Sequence, residues 1–443
     1  MPFIANTDRQ REEMLNDLGM TAEDLFSDIP ADLRCRRLNI GAGMSEQEVR
    51  RHLAGLSDRN RSGLISFLGG GFYDHFVPAA VEALASRSEF YTAYTPYQPE
   101  VSQGTLQAIY EYQSAICRLT DMEVANASLY DGGTAVYEAV MMAMRVTGRN
   151  RVIVDRTVNP VYRKMLRSYT GNLGIEFVQT PWRDGLADRE KILAELDDKT
   201  AAVVLQNPNF FGCLDDFTDL AETAHKHGAL LIVSVYPISL GIVKPPGQMG
   251  ADIVVGEGQS LGLPLAFGGP YLGFMSTRQK YVRKMPGRIV GRTVDTDGRD
   301  GFVLTLQTRE QHIRREKATS NICTNEGLCA LTATIYMSLL GAEGLRELAQ
   351  TCADKANYTQ KRLLEIPGVT THFPNRWYFN EFVLRLPVAA EKIILHLLER
   401  GIAAGFPLSR YYDGMEHSLL IALTEKRTKE QIDLLAHVLE VSL

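Results

Sequence analysis

Apolar residues in the middle of the chain recur as short, nearly continuous runs, separated by stretches of helical spacing. The runs fall at residues 128–130, 152–154, 176–178, 201–205, 230–235, 253–255 and 271–275. Between most of them, over 135–146, 160–170, 189–196 and 217–227, the apolar positions lie three and four apart. A short run without alternation reads as a strand buried on both faces, and a three-to-four spacing as one face of a helix. Strands alternating with helices predict a mostly parallel sheet of seven strands covered on both sides, the seventh following closely on the sixth.

The flanks read differently. Residues 1–65 predict a helical arm, because Thr21 with Asp24 and Ser45 with Glu48 each have the spacing of a reciprocal helix cap. Residues 66–340 would form the large domain, with a long surface loop expected over 286–310 and a long helix over 326–340. Residues 341–443 would form a smaller C-terminal α/β domain. Its strands are expected at 381–386 and 418–424, with helices over 388–400 and from Thr428, capped by Gln431, to Leu439.

Charge and cysteine usage narrow the class. A formal net charge of -6 argues against nucleic acid as the partner, because a phosphate-binding surface is rich in positive charge. The basic run Arg314, Arg315, Lys317 stands against that background and needs its own explanation. The N-terminus shows no basic stretch leading into an apolar one, and no apolar run approaches a membrane span. Cys35, Cys117, Cys213, Cys323, Cys329 and Cys352 form no C-x-x-C pair and read as buried thiols in a reducing, cytoplasmic setting. His225 and His227 are two apart on an expected helix, face different ways, and predict no metal site.

Four stretches carry candidate chemistry. Residues 252–275 run from a strand into a loop with Gln259, Pro264 and Gly268-Gly269-Pro270, glycine-dense enough for close approach of backbone or ligand. Residues 91–100, Y-T-A-Y-T-P-Y-Q-P-E, hold three tyrosines on a proline-stiffened loop. Asp131-Gly132-Gly133-Thr134 opens a helix whose free N–H groups suit a phosphate, although such a turn is more often a plain helix start. Residues 317–324, K-A-T-S-N-I-C-T, place hydroxyl and basic groups before another helix.

The second and fourth stretches resemble signatures of the glycine decarboxylases, the P-proteins of the glycine cleavage system. Pro264 and Gly268-Gly269-Pro270 fall in register with that family's cofactor loop, and the likeness extends over essentially the whole chain. It implies the aspartate-aminotransferase-like fold of type I pyridoxal-phosphate enzymes. In that family a lysine in the loop holds the cofactor, and an aspartate at the end of the fifth strand pairs with its pyridine nitrogen. Here Gln259 and Ser234 stand at those positions with the spacing unchanged, and an amide cannot form the covalent link.

The resemblance is closest to the branch in which the enzyme is divided between two chains, and to the chain without the lysine. It implies pyridoxal phosphate on a lysine-bearing β subunit, an α2β2 assembly, and a lipoylated H-protein that receives the aminomethyl group left when glycine loses CO2. Tyr94, Thr95 and Tyr97 are then expected to reach the partner's substrate. Thr319, Ser320 and Asn321 are expected to reach its cofactor phosphate. Two alternatives stand beside this: a silent scaffold that only stabilises the partner, and an independent pyridoxal-phosphate enzyme using another lysine such as Lys244.

Overall fold

The structure is a computed structural model that describes residues 5–35, 37–90 and 94–443. Its contacts divide the chain into two units, Met1–Ser62 and Gly63–Leu443. In the first, Thr7 caps the helix Asp8–Asp17, and Ser45 and Glu48 cap the helix Glu46–Ser57 reciprocally, Ser45 N donating to Glu48 at 2.7 Å. Thr21 and Asp24 make the same reciprocal bonds but start only the single turn Asp24–Phe26. Neither helix of this unit buries a residue.

The second unit is built on a seven-stranded sheet. In spatial order its strands are Val124–Ala125, Gly273–Thr277, Ile253–Glu257, Leu230–Val235, Thr200–Asn207, Arg151–Asp155 and Glu176–Thr180. The last five run parallel; Gly273–Thr277 is antiparallel to both neighbours. Alternate residues of one strand feed opposite cores: Val203 and Leu205 pack on one face, Ala202 and Val204 on the other. Double burial explains the uninterrupted apolar runs, and this is the aspartate-aminotransferase-like fold. The first strand differs from expectation. It lies at Val124–Ala125, and Leu129 contributes only an isolated bridge to Gly273.

Residues 286–310 are not a surface loop. Ile289–Val294 and Asp300–Thr305 form an antiparallel hairpin, and Val290 and Leu304 are buried against Leu106, Ile109 and Ala127. Gln113 secures it, accepting from Val290 N at 2.9 Å and donating to Val290 O at 3.0 Å. The density of Arg, Asp and Gly hid the alternation; the sequence D-T-D-G between the strands was the turn signal.

The expected helix at 326–340 is one half of a longer element, Gly327–Leu364, broken at Gly341, whose φ of 60° is left-handed. By length and composition this helix could cross a membrane, contrary to the sequence reading, but Cys329, Ala333, Tyr336, Ala349 and Cys352 pack it into the main core. Beyond it, the strands Thr370–Thr371, Glu381–Arg385, Ser418–Ala422 and Phe406–Pro407 form an antiparallel sheet. The helices Ala390–Glu399 and Lys429–Ser442 pack on it, and Phe67 joins their core. Two cysteines depart from the buried expectation: Cys35 and Cys323 are exposed. His225 bonds Asp252 at 2.7 Å while His227 bonds Thr223 O, so the pair shares no ligand.

Candidate functional site

In an open parallel sheet the ligand crevice lies beyond the carboxyl ends of the strands. Here those ends are filled. Gln259 is 1% exposed and ties three backbone groups: its Oε1 accepts from Tyr73 N at 2.9 Å, and its Nε2 donates to Tyr73 O at 3.1 Å and Leu263 O at 2.7 Å. Ser234, at the penultimate position of its strand, is buried. The remaining cavity between Gly71, Tyr73, Tyr162, Ser234, Tyr236 and Glu257 measures about 20 Å³, room for one water and not for a pyridine ring.

The glycine turn at residues 131–134 is occupied from within. Asp131 Oδ1 caps the helix Gly132–Thr147 by accepting from Thr134 N at 2.8 Å. Gly132 N donates to Glu257 at 2.9 Å, and the same carboxyl accepts from Gln259 N and Leu272 N. A Cβ at Gly132 would fall 2.4 Å from the Tyr162 hydroxyl, so close side-chain packing demands this glycine. Burial pushes Glu257 up to about 8 against the pull of those backbone donors, chiefly Gly132. Glu381, which accepts from Tyr73 OH and Gly70 N at 2.6 Å each, is pushed up to about 7 for the same reason.

Tyr73 also lies 4.2 Å from Tyr236, centroid to centroid, and the Tyr236 hydroxyl bonds His75, whose other ring nitrogen meets Glu425 at 2.7 Å. These residues do not fit pyridoxal phosphate: no amine faces the cavity, no carboxyl stands at the pyridine position, and the volume is taken. Lys244 is no substitute, since its ammonium is held on the surface by Asp216 at 2.9 Å and Thr218 at 3.0 Å.

The remaining expected residues lie on an outer face. Tyr91 is outside the described residues. Tyr94 is 87% exposed and its hydroxyl accepts from Thr324 at 3.4 Å. A groove of about 400 Å³ runs beside it, lined by Pro96, Pro270, Asn325 and Leu328. Thr95 Oγ1 is buried and has no hydrogen-bond partner among the described residues. Tyr97 is half exposed; its hydroxyl accepts from Arg288 at 3.0 Å, and the guanidinium lies 5.3 Å from the ring centroid. Arg288 is itself buried and pairs with Glu310 at 3.4 Å.

Thr319 N donates to Arg309 O, Asn321 is exposed, and Ser320 has committed its hydroxyl proton to the buried Glu138 at 2.7 Å. The structure thus gathers Tyr94 with Thr324, and Tyr97 through Arg288 and Glu310 with a small pocket at Thr319 and Ser320. Sequence reasoning missed Glu257, Glu381 and Arg288. Glu257 alone left a signal, an acid ending an otherwise apolar strand two residues before Gln259.

The comparisons agree with this architecture. The chain matches the sequence description "Glycine cleavage system P-protein" over residues 1–439. A protein of Geotalea uraniireducens named probable glycine dehydrogenase (decarboxylating) subunit 1 is 57% identical over 444 residues, covering all of both chains. One of the same name from Nitratidesulfovibrio vulgaris is 54% identical over 440 residues and 99% of each. A crystal structure of glycine decarboxylase (P-protein) of the glycine cleavage system, in inhibitor-bound form, matches with a TM-score of 0.93 at 45% identity over the whole of both chains. A sphingosine-1-phosphate lyase of Burkholderia pseudomallei, at 14% identity, 93% coverage of each chain and a TM-score of 0.64, shares the fold. Full-length identity above one half, the fold, and a family profile spanning nearly every residue place this chain in the glycine cleavage system P-protein family.

Proposed function

We propose that this chain is the subunit of a glycine decarboxylase that carries no cofactor lysine and completes the active site of a lysine-bearing partner. The observation that carries this is the filled pocket. Gln259 and Ser234 stand where the family's chemistry needs a lysine and an aspartate, and about 20 Å³ remains between the strand ends. The relatives named "subunit 1" support a second chain, and α2β2 is the assembly proposed.

Pyridoxal phosphate, bound by the partner, supplies the electron sink that lets glycine lose CO2. This chain presents the hydroxyls of Tyr94 and Tyr97 toward the partner's substrate, and the Thr319 hydroxyl and Asn321 amide toward its cofactor phosphate. Thr95 stays in the proposed set as an unpartnered hydroxyl; Ser320 acts by orienting its neighbours, because its proton is already given to Glu138. The product is the aminomethyl group carried off by the lipoyl arm of an H-protein, and the proposed compartment is the cytoplasm.

The test is assembly. Mixed with a lysine-bearing partner, the chain should co-elute with it, and the complex should show a cofactor absorbance band and glycine–bicarbonate exchange that this chain lacks alone. A cofactor fixed by borohydride to a lysine of this chain would refute the assignment. Exchange that survives replacement of Tyr94, Tyr97 and Thr319 together would reduce the chain to a scaffold.

A further inference from the structure

Six cations converge on one pocket of about 380 Å³, in which the proposed function gives a role to Thr319 alone. Arg145 comes from the last turn of the helix Gly132–Thr147, and Arg283 and Lys284 from the turn Gln279–Lys284. Arg309 comes from the turn Gln307–Arg309, and Arg314 and Lys317 from the basic run flagged in the sequence. The hydroxyl-bearing Thr308 and Thr319 also line it, with Leu306 and Ala318, and no carboxylate does.

A basic face is ordinarily a solvated one, its charges spread out and interleaved with acids. Three observations set this pocket apart. First, the chain as a whole is acidic, with a net charge of -6, yet none of the six cations makes an ion pair among the described residues. Some buried or half-buried arginines elsewhere are paired, Arg151 with Glu176 and Glu195 and Arg189 with Asp215 and Asp219, while Arg163 and Arg278 rest on carbonyl or amide oxygens; none of those gathers with other cations as these six do. Second, Arg145 Nε and Nη2 are inaccessible to solvent and have no hydrogen-bond partner among the described residues. Buried guanidinium donors are normally satisfied, so these two leave the Arg145 charge uncompensated on its protein side, although they do not themselves open on the pocket.

Third, Arg145 and Arg309 line the same pocket, and burial first and the Arg145 charge after it disfavour the charge on Arg309. Arg309 spends its own donors on the carbonyls of Met285, Gly287 and Leu306, so it adds charge rather than free N–H groups. Two carboxyls favour the charged forms, Glu138 that of Arg145 and Glu310 that of Arg309, and neither lines the pocket. They leave the six charges under-compensated.

We propose that this pocket is a binding site for a phosphate-class dianion carried on a small molecule. Guanidinium groups match tetrahedral oxyanions in geometry, and hydroxyls at Thr308 and Thr319 add neutral donors. The volume suits a phosphate ester and exceeds what a bare ion fills. Two sources share this chemistry: a free phosphorylated metabolite, and the phosphate of the partner's cofactor reached through Thr319. The site rests on this chain's charge and geometry alone; only the second source rests on the assembly proposed above.

The test has two arms, both on the full-length chain. In the first, the chain alone is titrated at low salt with inorganic phosphate, pyrophosphate and pyridoxine 5′-phosphate, with pyridoxine as control. Saturable binding of the phosphorylated probes and none of pyridoxine is expected, with affinity falling at least tenfold in Arg145→Gln. Because Arg145 is half-buried, the exposed pair Arg314→Gln with Lys317→Gln is measured beside it, each variant first checked for an unchanged thermal melt. In the second arm, the same variants are assembled with the lysine-bearing partner and their cofactor retention is titrated.

Phosphate binding lost in the first arm with retention unchanged in the second supports the site and a free metabolite as its source. Retention lost in the second supports the site and names the cofactor phosphate. Absence of saturable binding in the first arm together with unaltered retention overturns the proposal, as does binding that survives all three substitutions. A complex that assembles poorly or lacks exchange counts against the proposed function and leaves the first arm standing.

Discussion

Two regions of this molecule have similar sequence credentials and opposite physical states. At the strand ends, Gln259, Glu257, Glu381 and Tyr73 satisfy one another and leave about 20 Å³. On the outer face, Tyr94 is exposed, Thr95 Oγ1 and two Arg145 nitrogens lack partners, and cavities of about 400 and 380 Å³ stand open. Buried polar groups are costly unless bonded, so a pocket that has lost its ligand is expected to fill with internal partners. A surface that still meets a ligand keeps unspent donors. The contrast is what the proposed division of roles between the two regions rests on.

The largest effect is expected from forcing the closed region back toward its former chemistry. In Gln259→Lys the new side chain could still donate to the carbonyls of Tyr73 and Leu263, but nothing would accept from Tyr73 N. That orphaned donor costs about 1–3 kcal/mol, and desolvating the ammonium adds several more, so a loss of about 5 kcal/mol or more is expected. Urea unfolding checks it. The variant should also show no glycine-dependent CO2 exchange alone, since Ser234 still offers no carboxyl. A stable Gln259→Lys chain with a cofactor band would erase the distinction between the two regions.

The second way to sharpen the contrast is pH. Glu257 and Glu381 both sit above the ordinary glutamate value, near 8 and 7, because burial disfavours their charged forms. The native state therefore binds protons that the unfolded chain has released. Their contribution is fully present below about pH 4.5 and is lost as pH rises, through about 7 for Glu381 and about 8 for Glu257. At 1.36 kcal/mol per unit, Glu257 alone contributes on the order of 4 kcal/mol across that window. Wild type should lose stability between pH 5 and 8 with a slope that is shallower in Glu257→Gln, where only Glu381 remains to release its proton. Equal slopes in the two proteins would mean the carboxyl is solvated and the region not closed.

The legibility of the two regions differed for a physical reason. The sheet was readable because strands buried on both faces leave unbroken apolar runs, as at residues 201–205 and 230–235. The hairpin at 289–305 was not, because its few buried side chains, Ile289 and Val290 on one strand and Leu304 on the other, sit among glycines and charges. Gln259 and Ser234 were legible as departures from a family pattern. What fills the space they vacate was not, since Tyr73, Glu257 and Glu381 meet from sequence separations of 124 residues and more. The cationic pocket failed for the same reason: its cations come from Arg145, from the pair Arg283 and Lys284, and from the stretch 309–317, which only the fold brings together.

On the open face, Thr319→Val removes one hydroxyl from the lining of the cationic pocket. If that hydroxyl donates to the partner's cofactor phosphate, its loss should cost about 1.5–3 kcal/mol and raise the cofactor dissociation constant roughly tenfold or more. A cofactor titration of the assembled complex measures it. Ser320→Ala should act instead through Glu138, lowering stability of this chain by about 1 kcal/mol with little change in retention. Retention that falls equally in both variants would show that the segment responds as a unit, and that Thr319 has no contact of its own.

The smallest expected effect is that of Tyr97→Phe, and it separates function from structure within the open face. The substitution keeps the ring, and with it the cation–π contact to Arg288 and the edge contact to His312 at 5.4 Å. It deletes only the acceptor that Arg288 Nη2 uses, leaving the ion pair of Arg288 with Glu310 in place. Arg288 is buried and its Nε and Nη1 already lack hydrogen bonds, so one more unmet donor should shift the loop slightly rather than release it. Apolar area is unchanged, so assembly should be too. If the hydroxyl meets the partner's substrate, as proposed, turnover of the complex should fall severalfold, about 1 kcal/mol in the barrier, while cofactor affinity stays within twofold. Glycine–bicarbonate exchange and cofactor titration on one preparation give both numbers. The reverse pattern, retention lost and turnover kept, would move Tyr97 to the phosphate side and merge it with the pocket of Thr319.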